Sequence, residues 1–270
     1  MIQVAVILPA AGSSSRFNAD DTALLAPRSK LDEDLGGRPV LQRTIEMFTN
    51  RPEIAAIIVA GPHEPEAYAA FELRHGDKLA LLGATLCRGG VSHRYETVKA
   101  ALELVPPAVT HIAVHDAARP VTPPELIDRL FDLAQRHPAV IPAVEVPDTI
   151  KRLDPEPVPD EPADPAAAIL GLSSDRPSDL RRVAQTVDRS LLVLVQTPQV
   201  FEAGLLRRAY AQADLSSTDD AGLVERLGEP VLVVPGDPAN IKITRPGDVP
   251  LARAIGGFKP PAERATHKRF

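Results

Sequence analysis

A run of small residues followed by two cations is the first feature of this sequence that could do chemistry. The apolar segment 4–8 ends at Pro9, Arg16 stands seven residues after that proline, and Lys30 follows fourteen residues later. The small residues between them include Ala10, Ala11 and Gly12. Backbone amides in such a loop can approach an anion closely, and the cations then neutralise it. The pattern predicts a loop that binds a nucleotide triphosphate; the alternative is a surface turn after an edge strand.

A carboxylate with a guanidinium three residues on is the second such feature. Asp116 follows the predicted strand 111–115, and Arg119 follows Asp116. A carboxylate beside a phosphate loop suits Mg²⁺, which takes one or two carboxylates together with phosphate oxygens and water. The alternative is a surface Asp–Arg pair, worth about 0–1 kcal/mol. We interpret the neighbouring His115 as a structural hydrogen-bonding residue rather than a metal ligand.

Strand and helix patterns alternate as far as residue 143. Continuous apolar runs predict buried strands, and apolar residues at helical spacing predict the helices between them. The predicted strands are 4–8, 54–60, 84–87, 111–115 and 139–143, and the predicted helices are 40–48 behind Pro39, 64–75, 95–105 and 123–137. This order predicts βαβ units and a parallel sheet with right-handed crossovers. Ligands bind at the carboxyl ends of such strands, so the Gly12 loop and Asp116 should meet at one edge.

The sequence changes character after residue 144. Residues 153–182 contain six prolines and seven acidic residues, which predicts a solvated loop insertion, with an acidic interaction segment as the alternative. The other predicted elements are extended segments at 145–153 and 191–196, helices at 202–213 and 219–227, strands at 231–234 and 241–244, and a terminal helix after Pro246. The last residues, 257–270, are predicted to form a basic tail.

Composition and charge argue against several classes of protein. The 270 residues are 44% hydrophobic and carry a formal net charge of −6, which argues against a nucleic-acid-binding protein. Cys87 is the single cysteine, so no internal disulfide is expected. The chain runs into its first strand without a leader, and no apolar run reaches the roughly 20 residues that span a bilayer. We therefore expect a cytoplasmic protein without a membrane segment.

Seven motifs occur in the order that is typical of one enzyme family. They are the small-residue loop with Arg16 and Lys30, followed by residues 115–120, 148–151, 186–189, 196–199, 218–221 and 240–246. From residue 3 to 256 the chain resembles the 2-C-methyl-D-erythritol 4-phosphate cytidylyltransferases. The resemblance implies an α/β fold of the Rossmann-like, three-layer α/β/α nucleotidyltransferase type, with a mainly parallel sheet. It also implies a single domain over residues 1–256, in which an extended β-arm at 144–190 carries the insertion and forms a dimer.

The activity implied by the resemblance is transfer of CMP from CTP to 2-C-methyl-D-erythritol 4-phosphate. The products are 4-diphosphocytidyl-2-C-methyl-D-erythritol and pyrophosphate, in non-mevalonate isoprenoid precursor biosynthesis. A phosphate oxygen attacks the α-phosphorus while negative charge grows on its oxygens and on the leaving group, so the reaction needs positive charge more than a base. We expect Arg16 and Lys30 to stabilise that charge. By the resemblance, Lys242 contacts the phosphates and Asp116 helps to place Mg²⁺.

The resemblance also implies where each substrate is bound. The residues that correspond to the cytosine- and ribose-reading segment are Gly89, Gly90 and Thr97. The residues that correspond to the acceptor-phosphate site are Arg119, Thr149 and Arg189. In the family an arm crosses to the partner subunit, so Thr149 and Arg189 are expected to complete the other protomer's site in a homodimer. The expected ligands are CTP, Mg²⁺ or another divalent cation, and the polyol phosphate; nucleic acid and membrane are not expected.

Three alternatives accompany this interpretation. Arg28 competes with Lys30 for the second cationic role, although counting back from Gly36 and Gly37 favours Lys30. The acceptor could be another polyol phosphate such as ribitol 5-phosphate, because a phosphate clamp says little about the carbon skeleton. A nucleotide-binding module without turnover is the alternative from a different class. The presence of Arg16, Lys30, Asp116 and Lys242 together argues against that module, because a pure binder has little need of groups directed at a transition state.

Overall fold

The computed structural model describes residues 2–19, 28–158 and 180–259. The backbone divides into two units, of which the first comprises Met1–Val144 with Val195–Phe270 and the second comprises Glu145–Leu194. The strands in chain order are β1 (Val4–Pro9), β2 (Ile54–Gly61), β3 (Ala84–Arg88), β4 (His111–Val114), β5 (Ala139–Glu145), β6 (Ile150–Pro157), β7 (Arg181–Val187), β8 (Val193–Val195), β9 (Gln199–Glu202) and β10 (Leu232–Pro235).

The helices of the described residues all belong to the first unit. They are α1 (Ser15–Asn18), α2 (Val40–Thr49), α3 (Pro65–Leu81), α4 (Arg94–Leu102), α5 (Pro124–Ala134), α6 (Ala203–Tyr210), α7 (Ala221–Arg226) and α8 (Asp248–Ile255). A single 3₁₀ turn, Lys30–Asp32, lies between α1 and α2 among these residues. None of these helices is both long enough and apolar enough to cross a membrane.

The sheet of the first unit is mostly parallel. Its strands lie in the order β10, β5, β9, β4, β1, β2, β3. The strand β1 pairs in parallel with both β2 and β4, whereas β9 runs antiparallel between β4 and β5. Crossover helices connect the parallel strands, as βαβ geometry requires.

Helices cover both faces of this sheet. Alternate residues of β1 point to opposite faces, so Val6 packs with α2 and α5 whereas Ile7 packs with α4 and α6. Full burial of one such aliphatic side chain contributes about 1.5–3 kcal/mol. The arrangement is three-layered, and the predicted α/β fold with a mainly parallel sheet is confirmed.

Several predicted elements differ from the observed ones. The helix α3 continues to Leu81, well beyond the predicted end at residue 75, and α4 ends at Leu102 rather than at residue 105. The predicted strand at 241–244 is wrong, because these residues form no strand. The antiparallel strand β9 was not predicted.

The second unit contains a two-stranded antiparallel hairpin of β6 and β7. Its register pairs Ile150 with Val187, and most side chains of both strands are exposed. The loop predicted for 153–182 is therefore wrong at both of its ends, where residues 153–157 and 181–182 are strand. The centre of that insertion, residues 159–179, and the tail residues 260–270 lie outside the described residues.

Candidate active site

The carboxyl ends of β1 and β4 open into a cavity of about 220 Å³. Because these strands pair in parallel, the segments that follow them lie at the same edge of the sheet. The sequence-predicted residues that line the cavity are Ala10, Ala11, Gly12, Lys30, Gly90, Thr97, Asp116 and Lys242. The structure thus brings together most of the predicted site residues of the first unit.

The loop after β1 turns sharply at Ser14. Ser14 has a φ of 56°, in the left-handed region that non-glycine residues seldom adopt. Its carbonyl accepts hydrogen bonds from the backbone amides of Phe17 and Asn18, which starts α1, and its Oγ accepts one from the amide of Lys30 at 3.3 Å. The loop and the Lys30 turn are therefore directly connected.

Lys30 is the cation of this turn that reaches the cavity. Burial lowers its pKa, the nearby charges of Lys242 and Arg16 lower it further, and Asp116 acts in the opposite direction. Arg16 is exposed on α1, outside the cavity lining but close enough to act on Lys30. These cations make the edge of the cavity attractive to a polyphosphate.

The competing cation, Arg28, makes different contacts. Its guanidinium lies 3.9 Å from Glu33, and its backbone amide and carbonyl both hydrogen-bond the side chain of Asn18, at 3.0 and 2.9 Å. The cavity lining contains Lys30 and not Arg28. This geometry favours Lys30 for the second cationic role.

Asp116 lies among three cations. Its carboxylate oxygens are 2.9 Å from Lys242 Nζ, 3.4 Å from Arg119 Nε and 3.7 Å from Arg94 Nε. Burial raises the pKa of Asp116, but the charges of Lys242, Arg94 and Arg119 outweigh burial and hold the pKa well below its usual range. Asp116 is therefore an anion at any physiological pH, and it orients the cations that surround it.

His115 supports Asp116 from inside the protein. The amide of Asp116 donates to Thr197 Oγ1 at 3.0 Å, Thr197 Oγ1 lies 3.1 Å from His115 Nδ1, and His115 Nε2 lies 3.2 Å from the carbonyl of Arg119. A neutral imidazole that carries its proton on Nε2 satisfies every one of these contacts. Complete burial lowers the pKa of His115 to about 4 and favours that neutral form. The structural role predicted for His115 agrees with this geometry.

Arg94 is a site residue that sequence reasoning missed. It is the first residue of α4, and it bridges Asp116 and the fully buried Asp220, whose Oδ2 lies 2.7 Å from Arg94 Nη1. The other carboxylate oxygen of Asp220 accepts a hydrogen bond from the hydroxyl of Tyr210. The spacing between Gly90 and Arg94 was the available signal, since it places a cation at the first turn after the glycine pair.

Arg119 is held by protein groups on both sides. Besides Asp116, its guanidinium donates to the carbonyl of the buried Asn240 at 2.5 Å. The side-chain Nδ2 of Asn240 donates a hydrogen bond to the carbonyl of Thr197 at 2.9 Å, and its Oδ1 accepts one from the hydroxyl of Thr122 at 2.8 Å. Asn240 therefore ties the segment that carries Lys242 to the segment after β4, a role that its polar type alone did not indicate.

A second cavity adjoins the first. Its lining includes Arg119, Thr197 and Thr218, and it shares Arg94, Asp116 and Lys242 with the first cavity. The shared residues form a common wall. Two ligands that lie on either side of this wall would have their reacting groups next to the same set of charges.

Gly89 and Gly90, the glycine pair after β3, leave no room for a side chain at either position. A Cβ on Gly90 would lie 2.1 Å from Glu96 Cβ, and a Cβ on Gly89 would lie 2.6 Å from the carbonyl oxygen of Gly61. The amide of Gly90 donates to Thr97 Oγ1 at 3.2 Å. The pair therefore lets the backbone pass close to α4, and of the two glycines Gly90 lines the cavity whereas Gly89 does not.

The two remaining predicted residues lie in the second unit. Thr149 and Arg189 flank the pair Ile150–Val187, so they lie at the same end of the hairpin, and both are exposed. The guanidinium of Arg189 donates to the carbonyls of Val146 and Pro147.

The α/β sheet and the cationic cavity at its carboxyl edge define an enzyme of the nucleotidyltransferase class. The family model described as 2-C-methyl-D-erythritol 4-phosphate cytidylyltransferase (IspD) matches residues 4–163 and 174–257. The chain belongs to this family, and the predicted membership is confirmed.

Individual relatives agree with the family match. The chain is 37% identical over 264 residues to the 2-C-methyl-D-erythritol 4-phosphate cytidylyltransferase of Frankia casuarinae, covering 97% of this chain and 85% of the relative. It is 38% identical over 253 residues to that of Rhodococcus jostii, covering 93% and 94%. The crystal structure of the enzyme from Thermus thermophilus superimposes with a TM-score of 0.66 at 30% identity, covering 95% of this chain and all of that one.

Proposed function

We propose that this enzyme transfers the cytidylyl group of CTP to 2-C-methyl-D-erythritol 4-phosphate. The products are 4-diphosphocytidyl-2-C-methyl-D-erythritol and pyrophosphate, and the reaction contributes to isoprenoid precursor biosynthesis. The proposal rests on one observation above all: Asp116, Arg94 and Lys242 form the wall that two adjoining cavities share. CTP in the first cavity and the polyol phosphate in the second would meet at this wall.

Arg16, Lys30 and Lys242 are assigned the stabilisation of the transition state. An oxygen of the acceptor phosphate forms a bond to the α-phosphorus, and the bond from that phosphorus to the bridging oxygen breaks, so the electron pair leaves with pyrophosphate. The acceptor phosphate is already ionised at neutral pH, and no proton has to be removed from it. Positive charge in fixed positions is therefore the main requirement, and the three cations can supply it.

Asp116 is assigned a part in holding a divalent cation such as Mg²⁺. It is the only carboxylate among the described residues that line the first cavity, and these residues contain no cluster of three His, Cys, Asp or Glu side chains. One carboxylate fits Mg²⁺ when phosphate oxygens and water supply the other ligands. Bound there, the ion would neutralise charge on the triphosphate. Lys242 and Arg119 already neutralise Asp116 itself, so binding of the ion should depend on CTP.

The glycine pair is assigned recognition of the nucleoside. The backbone at Gly90 borders the cavity without a side chain, Gly89 precedes it, and Thr97 adds a hydroxyl beside it. Backbone groups at fixed positions can distinguish the hydrogen-bonding edges of cytosine from those of other bases. We assign the triphosphate to the loop of Ala10, Ala11 and Gly12, which also lines the cavity.

The acceptor phosphate is assigned to Arg119 together with Thr149 and Arg189 of a partner subunit. Exposed apolar side chains of the arm support a homodimer, because they need a cover that the hairpin itself does not provide. These side chains include Leu153 and Val183. We propose residues 1–256 as one domain of each protomer, with the arm as its dimerisation element. Both substrates are charged metabolites of the cell interior, so the proposed location is the cytoplasm.

Pyrophosphate release tests the proposed function. We would measure it with CTP and Mg²⁺ in the presence of 2-C-methyl-D-erythritol 4-phosphate, ribitol 5-phosphate or no acceptor. We expect rapid release of pyrophosphate with 2-C-methyl-D-erythritol 4-phosphate and little release with ribitol 5-phosphate or without an acceptor. A preference for ribitol 5-phosphate would transfer the assignment to a cytidylyltransferase for another polyol phosphate, and CTP binding without release would favour a nucleotide-binding module.

A further inference from the structure

The turn that carries Lys30 is attached to α3 by a carboxylate. Asp32 is the last residue of the same 3₁₀ turn, and its Oδ1 lies 2.7 Å from Nε2 of His75. Its other oxygen, Oδ2, accepts a hydrogen bond from the guanidinium of Arg74. Both carboxylate oxygens of Asp32 are therefore engaged by neighbouring residues of one helix.

The α3 side of this attachment is rigid. His75 is only 3% exposed, and its ring packs on that of Phe71 with 4.9 Å between the ring centroids. Burial raises the pKa of Asp32, but the hydrogen bond from His75 and the charge of Arg74 outweigh burial and lower it. The carboxylate is therefore ionised and bonded to a side chain that the core holds in place.

The same turn is fixed at its other points. Leu31, between Lys30 and Asp32, is 5% exposed and belongs to the core beneath the sheet. Just downstream, Arg253 of α8 donates two hydrogen bonds to the carbonyl of Asp34, at 3.0 and 2.7 Å. Lys30 therefore extends into the cavity from a turn that contacts α3 and the core, and the chain just after this turn contacts α8.

We propose that Asp32 is a positioning residue for Lys30, acting through His75 and Arg74 to fix the turn from which the Lys30 ammonium reaches the triphosphate. The proposal rests on the transition-state role assigned to Lys30 above. Asp32 lies outside the cavity lining. Its effect on the reaction should therefore pass entirely through the position of Lys30.

A double-mutant cycle on kcat tests this proposal. The variants are Asp32→Ala, Lys30→Ala and the double variant, measured at saturating CTP and acceptor. Misplacement of a catalytic group by about 1 Å can cost on the order of 100-fold, so we expect Asp32→Ala to lower kcat by about 10–100-fold with a smaller change in the KM for CTP. In the Lys30→Ala background the same change should alter kcat by less than about twofold, because the group that it positions is gone.

Two further variants make the cycle specific. Asp128 of α5 forms an ion pair with Arg51, and neither residue lines the cavity. Asp128→Ala removes this ion pair and should leave kcat unchanged in both backgrounds. Asp32→Asn keeps an oxygen that can accept from His75, so it should retain more activity than Asp32→Ala. It also replaces Asp32→Ala in the cycle if that variant unfolds below the assay temperature.

The outcomes distinguish a failure of the positioning role of Asp32 from a failure of the proposed role of Lys30. Equal losses of kcat from Asp32→Ala with and without Lys30, or no loss at all, would overturn the positioning role while the role of Lys30 stands. A wild-type kcat for Lys30→Ala would instead refute the proposed role of Lys30. Thermal unfolding of each variant accompanies the kinetics, so that a loss of folded protein is not counted as a loss of kcat.

Discussion

Asp116 holds the neighbouring cations of the cavity in position. Its carboxylate contacts Lys242, Arg119 and Arg94, which come from three different segments of the chain. This partly buried carboxylate thus keeps three cations close together that would otherwise repel each other. The cations are already arranged before a triphosphate arrives, and this preorganisation is what electrostatic catalysis requires.

Substitution can distinguish Lys30 from Arg28, the two candidates for the second cationic role. We expect Lys30→Ala to lower kcat by about 10²–10³-fold, because a charge directed at the α-phosphate is lost. The matched change Arg28→Ala should leave kcat near that of the wild type, since Arg28 is directed at Glu33. Steady-state pyrophosphate release measures both, and a larger loss from Arg28→Ala would exchange the two roles.

The thiol of Cys87 should be almost inert at neutral pH. Burial raises its pKa to about 11, so the thiolate that reacts with alkylating agents is scarce below that pH. We expect alkylation by iodoacetamide at pH 8 to be about 100-fold slower than for free cysteine, and to accelerate as the pH rises towards about 11. Mass spectrometry follows the reaction, and unfolding in guanidinium should restore the free-cysteine rate. Rapid alkylation of the folded protein would contradict the stated burial effect.

At the scale of elements, the site depends on segments that pass unusually close to one another. The glycine pair lies against the first turn of α4, where Glu96 accepts hydrogen bonds from the amides of Ser92 and His93, at 2.8 and 3.1 Å. The start of this helix therefore shapes the part of the cavity that Gly90 lines. It also presents Arg94 to Asp116, so one element serves both cavities.

Gly90→Ala tests this close approach. The added Cβ would meet Glu96 at 2.1 Å, so the loop or α4 must move, and we expect a loss of about 1–3 kcal/mol in the free energy of unfolding together with a raised KM for CTP. Gly247→Ala is the matched control, because no atom lies within 4 Å of its added Cβ. Denaturant unfolding and CTP kinetics measure the two effects. An unchanged KM for Gly90→Ala would argue against a nucleotide-binding role for this loop.

The segment that carries Lys242 shows why one predicted element was wrong. The alternation of Ile241 and Ile243 is typical of a strand, yet the amide of Ile243 bonds the carbonyl of Ala118, and the amides of the two residues after it bond the side chain of Asp248. These backbone groups are satisfied outside a sheet ladder. The segment can therefore follow the cavity wall and direct Lys242 at Asp116.

For the whole molecule, the proposed homodimer makes a specific prediction. A mixture of Lys30→Ala and Arg189→Ala subunits should regain activity that neither variant has alone, because a mixed dimer contains one site with both residues intact. With random exchange of subunits we expect about a quarter of the wild-type activity. Pyrophosphate release after mixing measures it, and sedimentation shows whether dimers form. A failure to regain activity among exchanging dimers would place both residues in the site of a single chain.

Sequence reasoning predicted the parts of this protein whose signal is local. The buried strands and the small-residue loop have residue types and spacings that indicate their structure within a few residues. The structure places Lys30 and Asp116 in the cavity as expected, together with Lys242, which was predicted from the family resemblance. The order of the motifs identified the family, which the comparisons confirmed. The fold class followed from the alternation of strands and helices, because the period of apolar residues reports which face of each element is buried.

Only the tertiary structure decided how distant segments share the site. Arg94 and Asp220 are more than a hundred residues apart, and their buried pair beside Asp116 has no local pattern. The antiparallel placement of β9 between β4 and β5 is likewise a long-range pairing. In the sequence Asp32 has the pattern of an ordinary turn residue, and only the structure shows its contacts with His75 and Arg74 of α3. Burial and partners determine what such polar side chains do, and both are properties of the folded chain.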